Sequence, residues 1–287
     1  MVASQDADNM SKKIVSFGDS FIFGSEMPNN EHGQLAWPGL IADQLGVEYE
    51  ICAVPGCGNE AIARQIYTYF SKNPRENTLA VVNWTWCMRW DFYMHNTDSW
   101  VTLGPTCVPQ KLYQHLEHTQ AEHLIEFYKN YTGASDVWNR YRSLQAIFSA
   151  QQFLKMNQIP TIQTYMDDWL FAKFNAGDRV EHYNSYKDPS WPEITNVEDL
   201  DTLPLSIQQE LEQDYNKIIV PDFVETLQDL TFPSMLTFEG QTFLEWSRSR
   251  GYTVTPAPYD HPLEEAHQNA AALWKNHYQQ CINTIPS

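Results

Sequence analysis

The sequence predicts an α/β protein of three layers, with a central parallel sheet between two layers of helices. Three observations support this prediction. A β-favouring run from Ile14 to Phe17 breaks at Gly-Asp-Ser, an amphipathic stretch follows, and strand-like and helix-like segments then alternate as far as Trp84. This alternation is typical of parallel strands joined by crossover helices, because a chain that re-enters a sheet in the same direction must first be carried back.

The first half of the chain contains most of the predicted sheet. Helical spacing of apolar residues predicts a helix over 37–45, and a second strand is predicted over 49–54. A helix over 61–70 follows, with Asn59 as its N-cap, and then a third strand over 79–84 that is apolar enough to be covered on both faces. The loops after these strands are expected at one edge of the sheet, where open α/β sheets bind ligands.

The second half of the chain continues the alternation. A long helix over 136–158 leads to a fourth strand over 159–165. A last crossover helix over 243–251 then leads to the β-favouring segment 252–255. The chain closes with a helix predicted from Pro262 to about His277, because proline suits the first turn of a helix.

Two segments do not fit this alternation and are predicted to be insertions. The first covers about 91–135, and the second covers about 178–240 with one amphipathic piece near 207–220. We predict that residues 1–11 form a disordered tail and that 12–287 form a single domain, in which the two insertions make a cap or rim.

Composition and charge exclude several classes of function. The chain has 36 acidic and 18 basic residues and a formal charge of -18, whereas nucleic acids and anionic membranes require clustered Lys and Arg. Its five cysteines form no CxxC pair, which favours reduced thiols over a disulfide framework. The first residues do not resemble a signal peptide, and no run of about eighteen apolar residues occurs, so we expect neither a leader nor a membrane span. We therefore expect a soluble protein, cytoplasmic or virion-associated, without a nucleic-acid or membrane partner.

A serine near the start and a histidine near the end are the residues best suited to chemistry. Gly18 permits a tight loop that presents the Ser20 hydroxyl, and His261 stands beside Asp260. A serine hydroxyl needs a base to remove its proton, and a carboxylate commonly orients that base. The same residues also have ordinary interpretations, since Gly-Asp-Ser is a common turn, Asp is a common N-cap and a histidine is often solvent-exposed.

Four features in this order resemble the SGNH/GDSL hydrolase family. They are the Gly18-Asp19-Ser20 loop, the Ala36-Trp37-Pro38 helix, the turn from Gly56 to Asn59, and the Asp260-His261-Pro262 segment. The resemblance covers roughly 13–90, 136–168 and 250–280, and it implies the flavodoxin-like fold of that family.

The resemblance also implies roles for individual residues. Ser20 would be the nucleophile, and its backbone N–H would donate to the oxyanion. Gly56 would be the second oxyanion donor, with Gly58 as the competing register. His261 would be the general base and Asp260 its partner.

The sequence departs from the family pattern in two places. The third strand does not end in Gly-x-Asn-Asp, so the Asn side chain of the oxyanion hole is missing; Thr85 is the predicted replacement donor, and Arg89 brings charge nearby. This variant is similar to SGNH-like proteins of marine viruses. The family also separates Asp from His by two residues, whereas Asp260 is adjacent to His261, so Asp167 or Asp168 is an alternative partner, as is a Ser/His dyad.

Substrate binding and metal binding complete the predicted site. The predicted substrate-binding residues are Asp19, Asn59, Trp84, Trp86 and Arg89. Trp84, Trp86, Trp90 and Trp169 fall near strand ends, where aromatic faces stack on a sugar ring or floor a pocket. His115, His118 and His123 lack a metal-ligand pattern, and Asp167-Asp168 is more typical of a turn than of a cation site. No metal or organic cofactor is expected.

These observations predict a serine ester hydrolase that removes an O-acetyl or other short acyl group from a carbohydrate. The missing Asn and the Asp-His spacing leave a second hypothesis open, a binding or structural protein of the same fold, such as a virion component, in which catalysis has been lost. Acyl transfer to a sugar is a third hypothesis, because it uses the same residues and differs only in the acceptor.

Overall fold

The computed structural model describes residues 12–30, 33–95, 97–105, 109–113, 116–132, 136–171, 199, 203, 208, 222–256 and 260–285. The tail predicted at 1–11 and, apart from Gln208, the amphipathic piece near 207–220 lie outside these residues.

Within the described residues the strands are β1 (Lys13–Phe17), β2 (Glu48–Ile51), β3 (Thr78–Trp84), β4 (Trp90–Met94), β5 (Ser99–Leu103) and β6 (Thr161–Tyr165). The helices are α1 (Ser20–Phe23), α2 (Trp37–Leu45), α3 (Asn59–Lys72), α4 (His118–Phe127), α5 (Asp136–Met156), α6 (Asp222–Thr231), α7 (Phe243–Ser249) and α8 (Glu264–Thr284). None of these helices is both long and apolar enough to cross a membrane.

Four parallel strands form the central sheet, in the order β2-β1-β3-β6, which confirms the predicted fold class. Phe17 at the end of β1 lies opposite Val82 of β3, and Trp84 at the end of β3 lies opposite Tyr165 of β6. The loops that follow β1, β3 and β6 therefore leave the sheet at the same edge.

Helices cover both faces of this sheet, and the alternation of side chains along each strand decides which residues they cover. Val15 and Trp84 belong to one buried cluster, with residues of α3, α5 and α6. Ile14 and Val81 belong to the other, with residues of α2, α7 and α8. Because successive side chains of a strand point to opposite faces, the sheet contributes to two separate apolar cores.

Several predicted boundaries differ from the structure, and the largest difference is at α8, which covers Glu264–Thr284 rather than Pro262 to about His277. β2 ends at Ile51, although the chain beyond it stays beside the first strand, because the Val54 N–H donates to the Gly18 carbonyl at 2.9 Å. Asn59 is the first residue of α3 rather than its N-cap, which is Gly58. Residues 252–255 add no strand to the sheet; Val254 forms only an isolated antiparallel bridge with Pro262.

The first predicted insertion contains an antiparallel hairpin, β4–β5, followed by α4. Its side chains form a third buried cluster of their own, made of Met94, Val101, Leu103, Leu112, Ala121, Ile125 and Tyr128. The loose sequence pattern of this segment did not reveal the hairpin.

The start of α2 is held by a buried histidine of α8. Ala36 provides no side-chain cap for α2, and the Trp37 N–H donates instead to His267 Nδ1 at 3.1 Å. Burial lowers the pKa of His267 to about 3, so the ring is neutral and Nδ1 can accept this hydrogen bond.

This buried neutral ring makes stability depend on pH. The pKa of His267 is about 3 in the folded chain and 6.5 in its ordinary state, so the unfolded chain binds the extra proton between these values and stability falls as pH falls from 6.5 towards 3. One pKa unit corresponds to about 1.4 kcal/mol. The decrease in the free energy of unfolding between pH 7 and pH 5 should therefore be about 2 kcal/mol smaller in His267→Gln than in the wild type. Urea unfolding at both pH values measures this decrease for each protein. Equal decreases in the two proteins would contradict a buried, neutral His267.

Candidate active site

Ser20 lies at the carboxyl end of β1, on a loop that only glycine allows. Gly18 has φ +155°, and a Cβ there would lie 2.9 Å from the carbonyl oxygen of Asn83 in β3 and 2.5 Å from Ile22. Asp19 then caps α1, because its Oδ1 accepts from the Phe21 N–H at 3.0 Å. Ser20 is therefore the first residue of a one-turn helix, and only 5% of it is exposed.

His261 reaches Ser20 from the other end of the chain. Its Nε2 lies 2.8 Å from Ser20 Oγ, and 8% of the residue is exposed. Thr255 holds the backbone of His261 by two hydrogen bonds: its Oγ1 accepts from the His261 N–H at 2.8 Å, and its own N–H donates to the His261 carbonyl at 2.9 Å. The structure thus brings together the two residues that the sequence predicted as nucleophile and base.

Asp260 does not pair with this imidazole in the structure. Its Oδ1 forms an ion pair with Arg248 of α7 at 2.7 Å, and its backbone is left-handed, with φ +50°. The carboxylate near the imidazole belongs to Glu26, whose Oε1 lies 3.5 Å from His261 Nδ1. Glu26 was not predicted, and apart from its place six residues after Ser20 no sequence signal pointed to it.

The alternative carboxylates are also engaged elsewhere. Asp167 Oδ2 accepts from the Cys87 N–H at 2.8 Å. Asp168 pairs with Glu245 of α7, and burial together with this second carboxylate raises the pKa of Asp168 to about 7. Both residues follow β6, as predicted, but neither takes the role of partner to His261 in the structure.

The two backbone N–H groups predicted as oxyanion donors belong to Ser20 and Gly56. The Ser20 N–H is at the start of α1, where a helix leaves its first amides without internal acceptors. The Gly56 N–H donates to no other described residue, and Gly56 is exposed with φ +81°. The competing register at Gly58 is excluded, because the Gly58 N–H donates to Asp91 Oδ1 at 3.1 Å.

Thr85 does not supply the predicted third donor. Its hydroxyl donates to Asp19 Oδ2 at 2.5 Å, and a hydroxyl has a single proton to donate. Arg89 Nη1 completes a compact cluster, at 2.7 Å from both Asp19 Oδ2 and Thr85 Oγ1 and 3.1 Å from the Cys57 carbonyl. This cluster connects the loops after three different strands. Asp19 follows β1, Cys57 follows β2, and both Thr85 and Arg89 follow β3.

Asn59 adds a second fastening between two of these loops. Its Nδ2 donates to the Thr85 carbonyl at 2.9 Å, and its Oδ1 accepts from the Thr85 N–H at 2.8 Å. Asn59 is 1% exposed and Asp19 is fully buried. The predicted substrate-binding roles of these two residues are therefore wrong, because their polar groups face protein and are already paired.

The inserted hairpin supports the Gly56 loop from outside. Asp91 of β4 accepts from the Gly58 N–H and, at 2.9 Å, from the Ala61 N–H, and so caps the start of α3. Its Oδ1 also accepts from Thr102 of β5 at 2.5 Å. A carboxylate at a helix N-terminus is favoured for two reasons: the first N–H groups of the helix have no acceptor within it, and the helix dipole is positive at this end.

The predicted tryptophan rim is only partly supported. Trp84 is fully buried, and its indole N–H donates to Gln163 Oε1 at 2.9 Å, so it contributes to the core and does not touch substrate. Trp86 is half-buried against the core on the α2 and α8 side. Of the predicted substrate-binding residues, Trp86 and Arg89 remain partly exposed, Arg89 with 19% of its side chain.

No group of three or more His, Cys, Asp or Glu side chains that could hold a metal ion occurs in the described part of the chain. His118 stacks on Tyr113 with ring centroids 3.9 Å apart, whereas His115 lies outside the described residues.

No protein-family model matches the chain, and no curated protein matches its sequence. Several solved structures are similar in fold. A member of the lipolytic G-D-S-L family from Veillonella parvula has 8% identity and a TM-score of 0.41, and the match covers 94% of this chain and 100% of that one.

Two esterases give comparable values. A psychrotrophic esterase from Pseudoalteromonas sp. has 8% identity and a TM-score of 0.42, with 96% of this chain and 100% of the other covered. An acetyl xylan esterase from Butyrivibrio proteoclasticus has 11% identity and a TM-score of 0.42, with 95% of this chain and 65% of the other covered. At this level the similarity carries no information about which residues act in this chain.

Because Asp19 is charged and buried in this cluster, we expect that neutralising its carboxylate destabilises the protein strongly. Asp19→Asn leaves the Arg89 guanidinium without its charge partner, and breaking a buried pair in this way should lower the free energy of unfolding by on the order of 3 kcal/mol. Asp43→Asn removes the same charge from an exposed position of α2 and should change it by less than about 0.5 kcal/mol. Urea unfolding measures the free energy of unfolding of both variants. Equal changes in the two would show that the cluster does not stabilise the loops.

Proposed function

We propose that this protein is a serine ester hydrolase, with Ser20 as the nucleophile and His261 as the general base. The observation that carries the proposal is the 2.8 Å contact between Ser20 Oγ and His261 Nε2. A hydroxyl becomes an effective nucleophile when a base within hydrogen-bond reach accepts its proton. The contact joins residues 241 positions apart at the carboxyl edge of a parallel sheet, which is where such folds place their active sites.

The geometry supports a two-step reaction. Ser20 Oγ attacks the ester carbonyl carbon while its proton passes to His261 Nε2, and the carbonyl oxygen takes up negative charge near the N–H groups of Ser20 and Gly56. When the tetrahedral intermediate collapses, the ester C–O bond breaks and His261 returns the proton to the leaving alcohol oxygen. Water then repeats the sequence on the acyl-serine and releases the carboxylic acid.

The oxyanion hole of this proposal rests on backbone groups. The third donor of the resembling family is an Asn side chain, and here the Thr85 hydroxyl is committed to Asp19. Loss of one oxyanion donor costs on the order of a hundredfold or more in rate. We therefore expect slow turnover. Arg89 donates to the Cys57 carbonyl beside the Gly56 loop, but its charge is compensated by Asp19, so it is not counted as an oxyanion donor.

The substrate we propose is a short acyl ester, such as an O-acetyl group on a carbohydrate. Ser20 and His261 are both more than nine-tenths buried, which favours a small acyl group over a long chain. The half-buried Trp86, in the loop after β3, has an aromatic face that a sugar ring could stack on, whereas Trp84 is fully buried.

A binding or structural role is the second candidate, and one observation favours it. Neither Thr85 nor Asp260 occupies the catalytic position that the resemblance implies, because each is committed to another partner. Retention of the folded state with no turnover in the wild type would favour this candidate.

The enzyme proposal predicts loss of activity on removal of one oxygen atom. Ser20→Ala should reduce release of p-nitrophenol from p-nitrophenyl acetate to the uncatalysed rate, because no nucleophile remains for His261 to activate. Ser71→Ala, which changes an exposed serine of α3, should retain the wild-type rate. Equal rates in the wild type and Ser20→Ala would contradict the proposal.

Burial of the nucleophile also predicts a dependence on acyl length. The ratio kcat/KM should fall steadily from p-nitrophenyl acetate to butyrate to octanoate, because a longer chain meets the protein around Ser20. A rate that rises with chain length would instead indicate an apolar acyl channel and would contradict a short-acyl substrate.

A further inference from the structure

The two ring nitrogens of His261 face different partners. Nε2 lies 2.8 Å from Ser20 Oγ, and Nδ1 lies 3.5 Å from Glu26 Oε1. Since the two nitrogens are on different sides of the ring, the serine and the carboxylate approach the imidazole from different directions. Asp260, beside His261 in sequence, forms its ion pair with Arg248 at 2.7 Å.

The loop that carries Glu26 is held rigidly to the helix that carries Ser20. Gly24 ends α1 in the left-handed conformation, and Glu26 itself has φ +69°. Asn30, 5% exposed, donates from its Nδ2 to the carbonyls of Phe23 and Gly24, both at 2.8 Å. Its Oδ1 accepts from the Leu35 N–H at 2.8 Å.

A non-glycine residue with positive φ persists where its surroundings over-determine it, and such residues cluster at functional sites. The side-chain bonds of Asn30 provide this constraint for the Glu26 loop. A Cβ at Gly24 would lie 2.2 Å from the Met27 side chain and 2.6 Å from Asn30 Nδ2, so no larger residue fits at this left-handed position. In the loop conformation that the structure shows, the Glu26 carboxylate lies near the imidazole.

We propose that Glu26, and not Asp260, is the carboxylate that positions His261 and balances the charge formed on it. This inference rests on the proposed function of Ser20 and His261. A carboxylate on the Nδ1 side favours the tautomer with its proton on Nδ1, which leaves Nε2 free to accept the proton of Ser20. It also stabilises the imidazolium that exists while the oxyanion is present.

Glu26 is the carboxylate that forms an ion-pair contact with this imidazole among the described residues. The ring of Phe21 lies 5.0 Å from the imidazole, centroid to centroid. His267 of α8 is fully buried and neutral, and the negative charge of Asp260 is compensated by Arg248 of α7. Because 37% of the Glu26 side chain is exposed, solvent screens its charge, and its effect should be smaller than that of a buried triad carboxylate.

Two isosteric substitutions separate the candidates. Removal of a buried triad carboxylate costs roughly ten-thousandfold, so for this exposed one we expect Glu26→Gln to lower kcat/KM by about 10- to 100-fold. Asp260→Asn should keep kcat/KM within about threefold.

A proton NMR signal tests the same inference without reference to turnover. The Nδ1 proton of His261 should give a downfield resonance in the wild type that moves upfield in Glu26→Gln and stays in place in Asp260→Asn. The NMR signal and the activity test different proposals. If the wild type is inactive but its resonance responds to the two substitutions as described, the esterase proposal fails and the role of Glu26 still holds. Matched urea midpoints exclude misfolding. If Asp260→Asn shifts the resonance or cripples activity while Glu26→Gln does neither, Asp260 is the partner and the inference is overturned.

Discussion

The buried carboxylate of Asp19 fixes the position of the nucleophile. It caps the helix that begins with Ser20, accepts a hydrogen bond from Thr85 at the end of β3, and forms an ion pair with Arg89. Arg89 in turn donates to the carbonyl of Cys57, next to Gly56. A fully buried charge is costly unless every lone pair finds a partner, so these contacts leave the three loops little freedom.

This arrangement assigns several buried polar groups near Ser20 a role within the protein. Asp19, Asn59 and Thr85 use their hydrogen bonds to hold one loop against another. The burial of the Cys57 thiol raises its pKa, which keeps the proton that it donates to the Gly18 carbonyl at 3.4 Å. The oxyanion donors that we propose are therefore backbone amides, whose directions are set by the loops and not by side-chain rotamers.

The fold could be predicted from the sequence because its signals are local, whereas Ser20 and His261 were singled out by the order of four motifs that resembles a known family. Strand and helix periodicity located the sheet, and the Gly-Asp-Ser break marked the end of β1. The burial of Trp84 could also have been predicted, since strand alternation places it on the same face as Ala80 and Val82 and hence in the core. Reading only its position at the strand end led to the wrong prediction.

Other parts of the site could not be predicted from one sequence. The partner of Asp260 is an arginine of a separate helix, and no spacing rule connects the two. Glu26 lies near His261 in a loop where its own backbone has a positive φ and where the buried Asn30 donates to the carbonyl of Gly24. Such positions depend on tertiary contacts, which override local propensity.

The central claim is that His261 activates Ser20. Treatment of the wild type with a serine-directed fluorophosphonate, followed by intact mass and peptide mapping, tests it most directly. The structure predicts one adduct, on Ser20, and none in His261→Ala under the same conditions, because the hydroxyl attacks phosphorus only when a base accepts its proton. Labelling of Ser20 at the same rate in His261→Ala, or no labelling of the folded wild type, would contradict it.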